Sequence, residues 1–338
     1  MDRRVVTVFG AGGFLGRHLV RRLAKSGAIV RAAVPDPEAA SYLKPMGEVG
    51  QVVPIAADLN HAGSVRLAVE GAEAVVNLVG ILYERGRRNF QAIHVEGAKR
   101  VAEAAKAAGA KRLVHVSALG ADAQSDSAYA QSKALGEAAV KAAFPQATIL
   151  RPSVVFGPED GFFNRFGQMA ALLPVLPVYV ADGFKVRIEP MELEYEINLF
   201  GSGGPKFQPV YVGDVADALM AALERAETPG QTYELAGPRA YSMKAIMELV
   251  AKETRRDNWL VPLPYWVGRI QAFFLQFLPT PLLTPDQMKL LRRDNVASGA
   301  LPGLSALGID ATAIEAIVPG YLARYRPATK RTMTLEAQ

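Results

Sequence analysis

The sequence predicts an α/β fold: a Rossmann-like doubly wound parallel sheet with a smaller mixed C-terminal lobe. This prediction depends on three observations. Short apolar runs alternate with helical patterns in the first part of the 338 residues, and a glycine-rich loop joins the first run to the first helix. Proline interrupts the pattern from Arg151 onward. Strands that alternate with helices in short units form a parallel sheet that is covered on both faces.

The elements of the first region follow one another in chain order. Val5–Phe9 is a run of β-forming residues that ends at Gly10, which predicts a buried strand. From Phe14 to Lys25 the apolar residues recur three and four positions apart, which predicts a helix. The remaining predicted elements are strands over Ala28–Val34, Val52–Ala56 and Ala74–Val79, a helix from about Phe90 to Ala108, a strand over Arg112–Val116, a helix over Tyr129–Ala143 and a strand over Thr148–Leu150.

The change of pattern at Arg151 divides the chain into two predicted parts, a dinucleotide-binding domain and a smaller C-terminal lobe. The dinucleotide-binding domain is expected over residues 1–150, with returning segments at about 151–160 and 205–240. The C-terminal lobe is expected over residues 161–338.

Strict alternation of apolar and polar residues marks one segment of the smaller lobe. It runs from Met191 to Leu199 and predicts half of a two-stranded ribbon over about 184–200. The ribbon lies within an expected insertion at about 182–204. Its glutamates form either a solvated face or an acidic edge that docks a basic partner.

The composition excludes several classes of function. The chain has no cysteine, which excludes disulfide scaffolds, cysteine-ligated zinc, iron–sulfur clusters and thiol nucleophiles. The net charge of +5 gives only a weak preference for acidic partners, and no nucleic acid is expected as a partner. No stretch reaches the roughly 20 apolar residues of a membrane span. No metal site is expected either, because the four histidines lack ligand spacing and are interpreted as packing or surface residues: His18, His61, His94 and His115.

The glycine-rich loop predicts a nucleotide site. Gly10, Gly13 and Gly16 are spaced three apart between the first strand and the first helix. Small residues let the backbone approach a pyrophosphate, and the helix N-terminus offers free N–H groups at the positive end of its dipole. A tight turn without a ligand is the alternative. The loop residues expected to contact the cofactor are Gly10, Gly13, Phe14, Leu15 and Gly16.

The residues near the second strand bear on which nicotinamide cofactor fits. An acidic residue at the strand end favours NAD, because it accepts a hydrogen bond from the ribose 2′-hydroxyl, whereas a nearby arginine accommodates the 2′-phosphate of NADP. Asp36 lies at a suitable distance from the loop but follows Pro35, and the nearby cations are Arg17 and Arg31. These residues leave both cofactors open.

Two other strand ends are expected to line the same cleft. Asp58 and Leu59 follow the third strand, where they would meet the edge of an adenine ring. Leu78, Val79 and Gly80 end the fourth strand, where they would lie along the pyrophosphate and the nicotinamide ribose. Each segment taken alone is also consistent with an ordinary strand end.

A tyrosine and a lysine predict the chemistry of the site. Tyr129 and Lys133 are four residues apart and therefore share one face of a helix. A lysine beside a phenol lowers the pKa of the phenol and can hold a ribose hydroxyl, so the phenol can exchange a proton with a carbonyl. Val116 and Ser117, at the end of the fifth strand, are expected beside them.

These features together resemble the extended or atypical short-chain dehydrogenase/reductase family, over roughly residues 4–240. The resemblance implies that Ser117, Tyr129 and Lys133 are the catalytic residues. It also implies that the glycine-rich loop and the strand ends bind the cofactor. Enzymes of the extended class usually carry a second serine or threonine after the first serine. Here Ala118–Gly120 follows instead.

The same resemblance adds a later segment to the site. Arg151–Gly157 corresponds to the part of the family that closes over the nicotinamide, which implies that Pro152 and Val155 contact the cofactor.

Several segments resemble one atypical branch of that family, the nucleotide-binding accessory subunits of respiratory complex I and their bacterial relatives. The resemblance implies tightly bound NADPH in a structural role, without established turnover. Members usually carry an arginine after the second strand, where this chain has Pro35 and Asp36, so NAD(H) is the alternative cofactor. The matching segments are Gly12–Val20, Ser132–Glu137, Phe207–Asp217, Pro262–Pro264 and Leu283–Val296.

This branch implies the expected function, an accessory and mainly structural subunit of bacterial respiratory complex I with no turnover of its own. The expected partners are the core subunits of that complex. The alternative is a free-standing NAD(P)-dependent reductase or epimerase that uses Tyr129 as its acid–base group and Lys133 as the partner of that group.

One amphipathic segment near the C-terminus suggests a second kind of partner. Trp266–Leu278 places most of its apolar residues on one side of a short helix bounded by prolines. It is either a core helix of the smaller lobe or a helix that lies on a membrane surface or a partner subunit. The second interpretation predicts contact with lipid headgroups through about 259–283 and a peripheral position on the cytoplasmic side of the bacterial inner membrane.

Overall fold

The computed structural model describes residues 4–181, 185–188 and 195–327. The strands are β1 (Val5–Phe9), β2 (Ile29–Val34), β3 (Val52–Ala56), β4 (Ala74–Asn77), β5 (Arg112–Val116), β6 (Thr148–Pro152), β7 (Val155–Phe156), β8 (Val175–Val180), β9 (Lys185–Ile188), β10 (Tyr195–Asn198), β11 (Lys206–Phe207), β12 (Val210–Tyr211), β13 (Thr232–Leu235), β14 (Tyr241–Ser242) and β15 (Trp259–Pro264). The α-helices are α1 (Phe14–Lys25), α2 (Ala62–Val69), α3 (Ala98–Ala107), α4 (Ala128–Ala143), α5 (Phe163–Leu172), α6 (Val212–Glu224), α7 (Met243–Thr254), α8 (Tyr265–Leu275), α9 (Pro285–Leu290) and α10 (Ile314–Leu322). A π-helix spans Gln91–Gly97, and short 3₁₀ helices span Ser41–Met46, Leu304–Leu307 and Ala323–Tyr325.

A parallel sheet of seven strands confirms the predicted fold class. Its strands lie in the order β3-β2-β1-β4-β5-β6-β13, and every neighbouring pair is parallel. The order reverses between β1 and β4, where the chain connections leave in opposite directions. In open α/β sheets the crevice beyond the carboxyl ends of the strands at such a point binds the ligand.

The strands are apolar on both faces because helices cover both faces. On one face, Val6 and Val8 of β1 belong to a core cluster with side chains of α1 and α6. On the other face, Phe9 and Val75 belong to a cluster with side chains of α2, α3 and α4. Full burial of a leucine or valine side chain contributes roughly 1.5–3 kcal/mol, so these two clusters hold the layers together.

Within the first predicted region, three elements differ most from the sequence prediction. The eight-residue helix α2 was not predicted, and its first turn is capped by His61, whose side chain accepts from Ser64 N. The predicted helix over 90–108 is divided into the π-helix and α3. Strand β4 ends at Asn77 rather than Val79 because the Asn77 side chain accepts the Val79 N–H at 3.1 Å, which turns the chain away from the sheet.

The described residues form two compact units. The first consists of the described parts of residues 1–155, 210–236 and 297–311. The last of these segments was assigned to the C-terminal lobe on sequence grounds, but Leu304 and Leu307 are buried in the first unit's core cluster. Ser298 also donates to the Glu234 carboxylate from its backbone N and its Oγ, at 2.7 and 2.8 Å.

The second unit consists of the described parts of residues 156–209, 237–296 and 312–338. Helices α5, α7 and α10 pack together beside the parallel pair β8 and β15. The buried Asp160 carboxylate orders the start of α5, since it accepts from Phe162 N at 2.8 Å and from Tyr321 Oη at 2.6 Å.

The predicted ribbon is present as β9 and β10, which pair antiparallel with Ile188 opposite Tyr195. Residues 182–184 and 189–194 lie outside the described part of the chain, as do the side chains of 185–188 and 195–197 in the ribbon strands. The acidic face of the ribbon therefore stays a prediction.

Helix α8 buries its small residues and exposes its large ones. Gly268 and Ala272 are buried, and a Cβ at Gly268 would lie 2.4 Å from Met288 Cε. The opposite side is exposed and contains the large apolar residues of the predicted amphipathic segment: Trp266, Ile270, Phe273, Phe274 and Phe277. Across the described ranges, no helix is both long enough and apolar enough to cross a bilayer.

Candidate functional site

The glycine loop lies between β1 and α1 at the carboxyl edge of the sheet. Gly10 adopts φ +80°, a conformation that favours glycine, and its carbonyl accepts from Gly13 N at 3.0 Å. A Cβ at Gly16 would lie 2.4 Å from the carbonyl oxygens of Gly10 and Ala11. The loop therefore closes tightly onto the start of α1, where no side chain caps the first turn. The arrangement suits a pyrophosphate.

The loop after β4 meets the glycine loop. Leu78 N donates to Phe9 O at 3.0 Å, and a Cβ at Gly10 would lie 3.3 Å from Leu78 C and from Val79 N. The two strand ends on either side of the reversal point are thus in contact. This places Leu78, Val79 and Gly10 together, as the sequence analysis expected.

The two candidate arginines are placed differently. The side chain of Arg31 donates to the carbonyl oxygens of Ala68 and Glu70 at the C-terminal end of α2, so Arg31 is not brought to the glycine loop. Arg17 lies in the first turn of α1, and its buried Nε has no hydrogen-bond partner among the described residues. Of the two arginines, only Arg17 therefore has an unpaired N–H donor close to the glycine loop.

Asp36 is occupied by its own turn. Its Oδ1 accepts from Glu38 N and from Ala39 N, each at 3.0 Å. A carboxylate that already accepts two backbone N–H groups is held in the loop after β2 and has less capacity to bind a ribose hydroxyl.

The loop after β3 lies at the same edge of the sheet. Asp58 is exposed, and its Oδ1 accepts from Asn60 N at 2.9 Å. Leu59 is buried, and a Cβ at Gly97 would lie 3.1 Å from it, so it packs on the π-helix. Asp58 is the accessible one of the two residues predicted to meet the adenine.

Lys133 is buried beside the end of β5. Its Nζ donates to Val116 O at 3.2 Å, and a Cβ at Gly80 would lie 3.5 Å from that Nζ. Burial lowers the pKa of Lys133 to about 8, although the Glu137 carboxylate raises it. The pKa of Lys133 is therefore brought to within about one unit of neutral pH, and the ammonium form still predominates at pH 7.

Tyr129 lies in the first turn of α4, one helical turn before Lys133. The sequence analysis expected a lowered phenol pKa, but burial raises the pKa of Tyr129 to about 12. The pKa is raised because removal of the phenol from water disfavours the phenolate. Tyr129 therefore stays protonated at neutral pH and acts as a hydrogen-bond or proton donor.

Ser117 completes the predicted group. It is 3% exposed, and its Oγ has no hydrogen-bond partner in the described part of the chain. Since buried hydroxyls are nearly always paired, an unpaired one beside Lys133 suits a ligand oxygen. The segment after it supplies no second hydroxyl: Leu119 N instead donates to Pro152 O at 2.8 Å. Pro152 ends β6, and Val155 begins the short strand β7.

Sequence reasoning missed two histidines of the site. His94 Nδ1 lies 2.8 Å from Ser132 Oγ, and His115 Nδ1 lies 3.2 Å from Asn77 Nδ2. Burial and the nearby Lys133 lower the pKa of both histidines to about 3, so both are neutral at physiological pH. In the sequence, each histidine is a polar residue on the apolar face of a predicted helix or strand. That pattern does not identify the hydrogen-bond partner of the histidine.

A buried ion pair supports the helix that contains Tyr129 and Lys133. The Glu137 carboxylate accepts two hydrogen bonds from Arg151, at 2.8 Å from Nε and 2.7 Å from Nη2. This pair joins α4 to β6, and the hydrogen bonds and charge of Glu137 raise the pKa of Arg151. Sequence reasoning had assigned no role to either residue of the pair.

Comparisons with known proteins agree with this geometry. The model of the NAD dependent epimerase/dehydratase family matches residues 6–236. Mitochondrial NADH dehydrogenase (ubiquinone) 1 alpha subcomplex subunit 9 of Mus musculus is 34% identical over 330 residues, which cover 95% of this chain and 80% of that protein. Ceramide reductase of Caulobacter vibrioides is 42% identical over 177 residues, which cover 52% of this chain and 54% of that protein.

A solved structure shares the fold at lower identity. NADPH-dependent quinone oxidoreductase QOR2 of Escherichia coli, complexed with NADPH, has a TM-score of 0.68 and 21% identity, with 91% of this chain and 96% of that chain covered. At this identity the likeness shows the fold alone.

The sequence match and the geometry lead to the same family. The glycine loop lies at the reversal point of the sheet, where dinucleotides bind in folds of this kind, and the chain is a homologue of subunits of NADH dehydrogenase (ubiquinone). With a family match over residues 6–236, more than half of its length, the chain belongs to the NAD dependent epimerase/dehydratase family.

Proposed function

We propose that this chain is an NADP(H)-binding accessory subunit of bacterial NADH:quinone oxidoreductase, respiratory complex I, with a mainly structural role. The observation that carries the proposal is the 34% identity with the mouse subunit across 95% of this chain, including the second unit. The structural role would be to support assembly or stability of the complex.

NADPH is the proposed cofactor, with NAD(H) as the alternative. Two observations support NADPH. The Asp36 carboxylate is engaged by two backbone N–H groups, and the buried Nε of Arg17 lacks a partner within the described chain. A free guanidinium donor near the glycine loop favours a 2′-phosphate, and an occupied carboxylate does not compete for a 2′-hydroxyl.

The residues of the site would grip the nucleotide in defined ways. The backbone of the glycine loop would hold the pyrophosphate, while Lys133 and Tyr129 would bind ribose hydroxyls. When bound, the cofactor supplies hydride-transfer chemistry. Whether that chemistry is used depends on a substrate oxygen reaching Ser117 and Tyr129.

Attachment to the membrane is proposed through α8 and its flanks, residues 259–283. The support is the exposed face with Trp266, Phe273, Phe274 and Phe277. Between 259 and 283 the only Lys, Arg, Asp or Glu residue is Arg269. Aromatic and apolar residues with a cationic neighbour suit the headgroup region of a bilayer. The proposed location is peripheral, on the cytoplasmic side of the bacterial inner membrane.

One experiment tests both the nucleotide and the complex. The tagged chain is purified from its own membranes in mild detergent, and mass spectrometry identifies the released nucleotide and the co-purifying proteins. We expect NADPH in near-stoichiometric amount together with core subunits of complex I. A monodisperse chain without those subunits, combined with normal complex I assembly in a deletion strain, would contradict the proposal.

A second candidate function is a free-standing NAD(P)-dependent reductase. It is favoured by the 42% identity with the ceramide reductase, by the protonated phenol of Tyr129 and by the unpaired Ser117 hydroxyl within the described chain. In this function Tyr129 would donate a proton to the carbonyl oxygen of a lipid-like substrate. Oxidation of NADPH by such a carbonyl compound, abolished in Tyr129→Phe, would support this function over the first.

A further inference from the structure

The loop Leu78–Ile81 has three of its four backbone N–H groups bound within the protein. Leu78 N donates to Phe9 O, Val79 N donates to Asn77 Oδ1 at 3.1 Å, and Ile81 N donates to His94 Nε2 at 3.0 Å. Gly80 is exposed, and its N–H has no partner in the described ranges. The loop is thus fixed on both sides of the one N–H group that it leaves to a ligand.

His94 connects this loop to the helix with the Tyr–Lys pair. Because the Ile81 N–H can only donate, Nε2 of His94 must be the acceptor, and Nδ1 must carry the proton. Nδ1 donates to Ser132 Oγ at 2.8 Å, and Ser132 Oγ donates to Tyr129 O at 2.8 Å. Three hydrogen bonds in series therefore run from Ile81 to the backbone of Tyr129.

The bridge requires a neutral imidazole. A second proton on Nε2 would face the Ile81 N–H, and the charged ring would lie near the Lys133 ammonium group. The buried environment of His94 excludes that proton, as its lowered pKa indicates. The ring is also held by packing: it stacks on Phe90 with centroids 5.3 Å apart and meets the Tyr129 ring edge-on at 5.5 Å.

Close backbone packing at the same point limits movement of the helix. A Cβ at Gly136 would lie 2.1 Å from His94 O, so α4 contacts the backbone of the π-helix directly. π-helical turns widen the backbone locally and are frequent at functional sites. Here the π-helix Gln91–Gly97 brings His94 to both the loop and α4.

We propose that His94 is a positioning residue, whose neutral side chain fixes the loop Leu78–Ile81 against the start of α4. It thereby sets the spacing of Gly80, Tyr129 and Lys133 at which a nicotinamide ribose is gripped. This inference rests on the proposed nucleotide binding, although the bridge itself exists without a ligand.

Two substitutions of His94 separate its hydrogen bonds from its volume. His94→Phe keeps the aromatic packing and removes both hydrogen bonds, whereas His94→Gln offers an amide oxygen to Ile81 N and an amide N–H to Ser132. We expect His94→Phe to weaken NADPH binding about tenfold, the scale of one lost hydrogen bond, and His94→Gln to restore part of that loss. Ser132→Ala, with its small change in volume, should resemble His94→Phe.

A second measurement does not depend on nucleotide. Hydrogen exchange followed by mass spectrometry on the full-length protein should show faster exchange in the peptide that contains Ile81 in His94→Phe and Ser132→Ala, and not in His94→Gln. His61→Asn, which keeps a capping side chain on α2, is the control and should match the wild type.

The outcomes distinguish the two proposals. If the wild-type protein binds no NADPH, the proposed cofactor is wrong, and the exchange data still decide the role of His94. Unchanged exchange at Ile81 in folded His94→Phe overturns the inference, as does a His94→Gln protein that is no better than His94→Phe. Faster exchange with partial rescue by glutamine supports it.

Discussion

The glycine loop closes tightly because Gly16 has no side chain. A Cβ there would lie 2.4 Å from two carbonyl oxygens, and both belong to backbone that cannot move without opening the turn. We expect Gly16→Ala to lower NADPH affinity by at least about tenfold, because loss of loop geometry removes several phosphate contacts together. Fluorescence titration of NADPH measures the change. Gly161→Ala is the control, since a Cβ at Gly161 meets no atom within 4 Å; equal losses in both variants would refute the steric explanation.

Burial of the charged Lys133 side chain destabilises the folded protein. Burial lowers its pKa from 10.5 to about 8, so between pH 8 and pH 10.5 the unfolded chain holds a proton that the folded chain does not. The free energy of unfolding therefore rises with pH across that window, and the full penalty applies below pH 8. We expect Lys133→Met to raise the Tm at pH 7 and to lose this advantage as the pH approaches 10.

The matched control for this prediction lies on the same helix. Lys141 is exposed, and its Nζ donates to Thr232 Oγ1 at 3.0 Å. Lys141→Met should leave the Tm nearly unchanged at both pH values. A Lys133→Met protein that is less stable than the wild type at pH 7 would show that the bond to Val116 O outweighs the cost of burial.

The residue types of the site were accessible from sequence, whereas their electrostatics were not. Gly10, Gly16 and the Tyr129–Lys133 pair were predictable because each depends on local spacing and residue identity. The raised pKa of Tyr129 depends on burial by residues distant in sequence, which spacing does not report. The bridge through His94 joins residues 38 positions apart, so no local pattern could reveal it.

Among the elements, α4 is stabilised by an ion pair whose second partner lies on another element. Glu137 is 6% exposed at its side chain and pairs with Arg151 of β6. We expect Glu137→Gln to lower the free energy of unfolding by about 3 kcal/mol, because it leaves the Arg151 charge without its partner. Urea unfolding measures this loss.

Two further variants test the explanation. Glu137→Gln combined with Arg151→Met should recover part of the loss, since no unpaired charge then remains buried. Lys99→Met, which breaks an exposed pair with Glu103 at 3.9 Å, should cost less than about 0.5 kcal/mol. If the double variant is no more stable than Glu137→Gln, the pair acts by packing and not by charge.

Element boundaries were predictable where a glycine or a polar side chain ends a pattern. Strand β1 and helix α1 have the predicted bounds because Gly10–Gly16 separates two clear periodicities. Helix α2 was missed because eight residues give barely two turns of pattern. The π-helix was read as ordinary helix, since a wider turn of backbone leaves the apolar spacing nearly intact.

At the scale of the whole molecule, the exposed face of α8 should bring the protein to a lipid surface. Trp266 lies on that face and Trp259 begins the preceding strand β15; these two residues, the only tryptophans of the sequence, are 64% and 77% exposed. We expect their fluorescence to shift to shorter wavelength, and the protein to co-sediment, with vesicles that contain anionic phosphatidylglycerol. High salt should weaken the binding, because Arg269 and the nearby Arg292 and Arg293 contribute charge.

The control for lipid binding is an exposed apolar residue elsewhere. Phe273→Ser combined with Phe277→Ser should abolish co-sedimentation, whereas Leu67→Ser, at a 65% exposed position of α2, should not. If the double variant still binds vesicles as the wild type does, α8 is not the lipid-binding element.

The order of strands in the central sheet also bears on how the chain is made. The outermost strand β13 pairs with β6, but it is synthesised some 80 residues later, and the core residues Leu304 and Leu307 come later still. At usual rates of translation the nascent chain therefore carries β6 as an open edge for roughly 5–15 seconds. An unpaired edge strand invites pairing with other chains. The nucleotide-binding unit cannot close on the ribosome until Leu304 and Leu307 have emerged, so its yield in a cell depends on protection of that edge during synthesis.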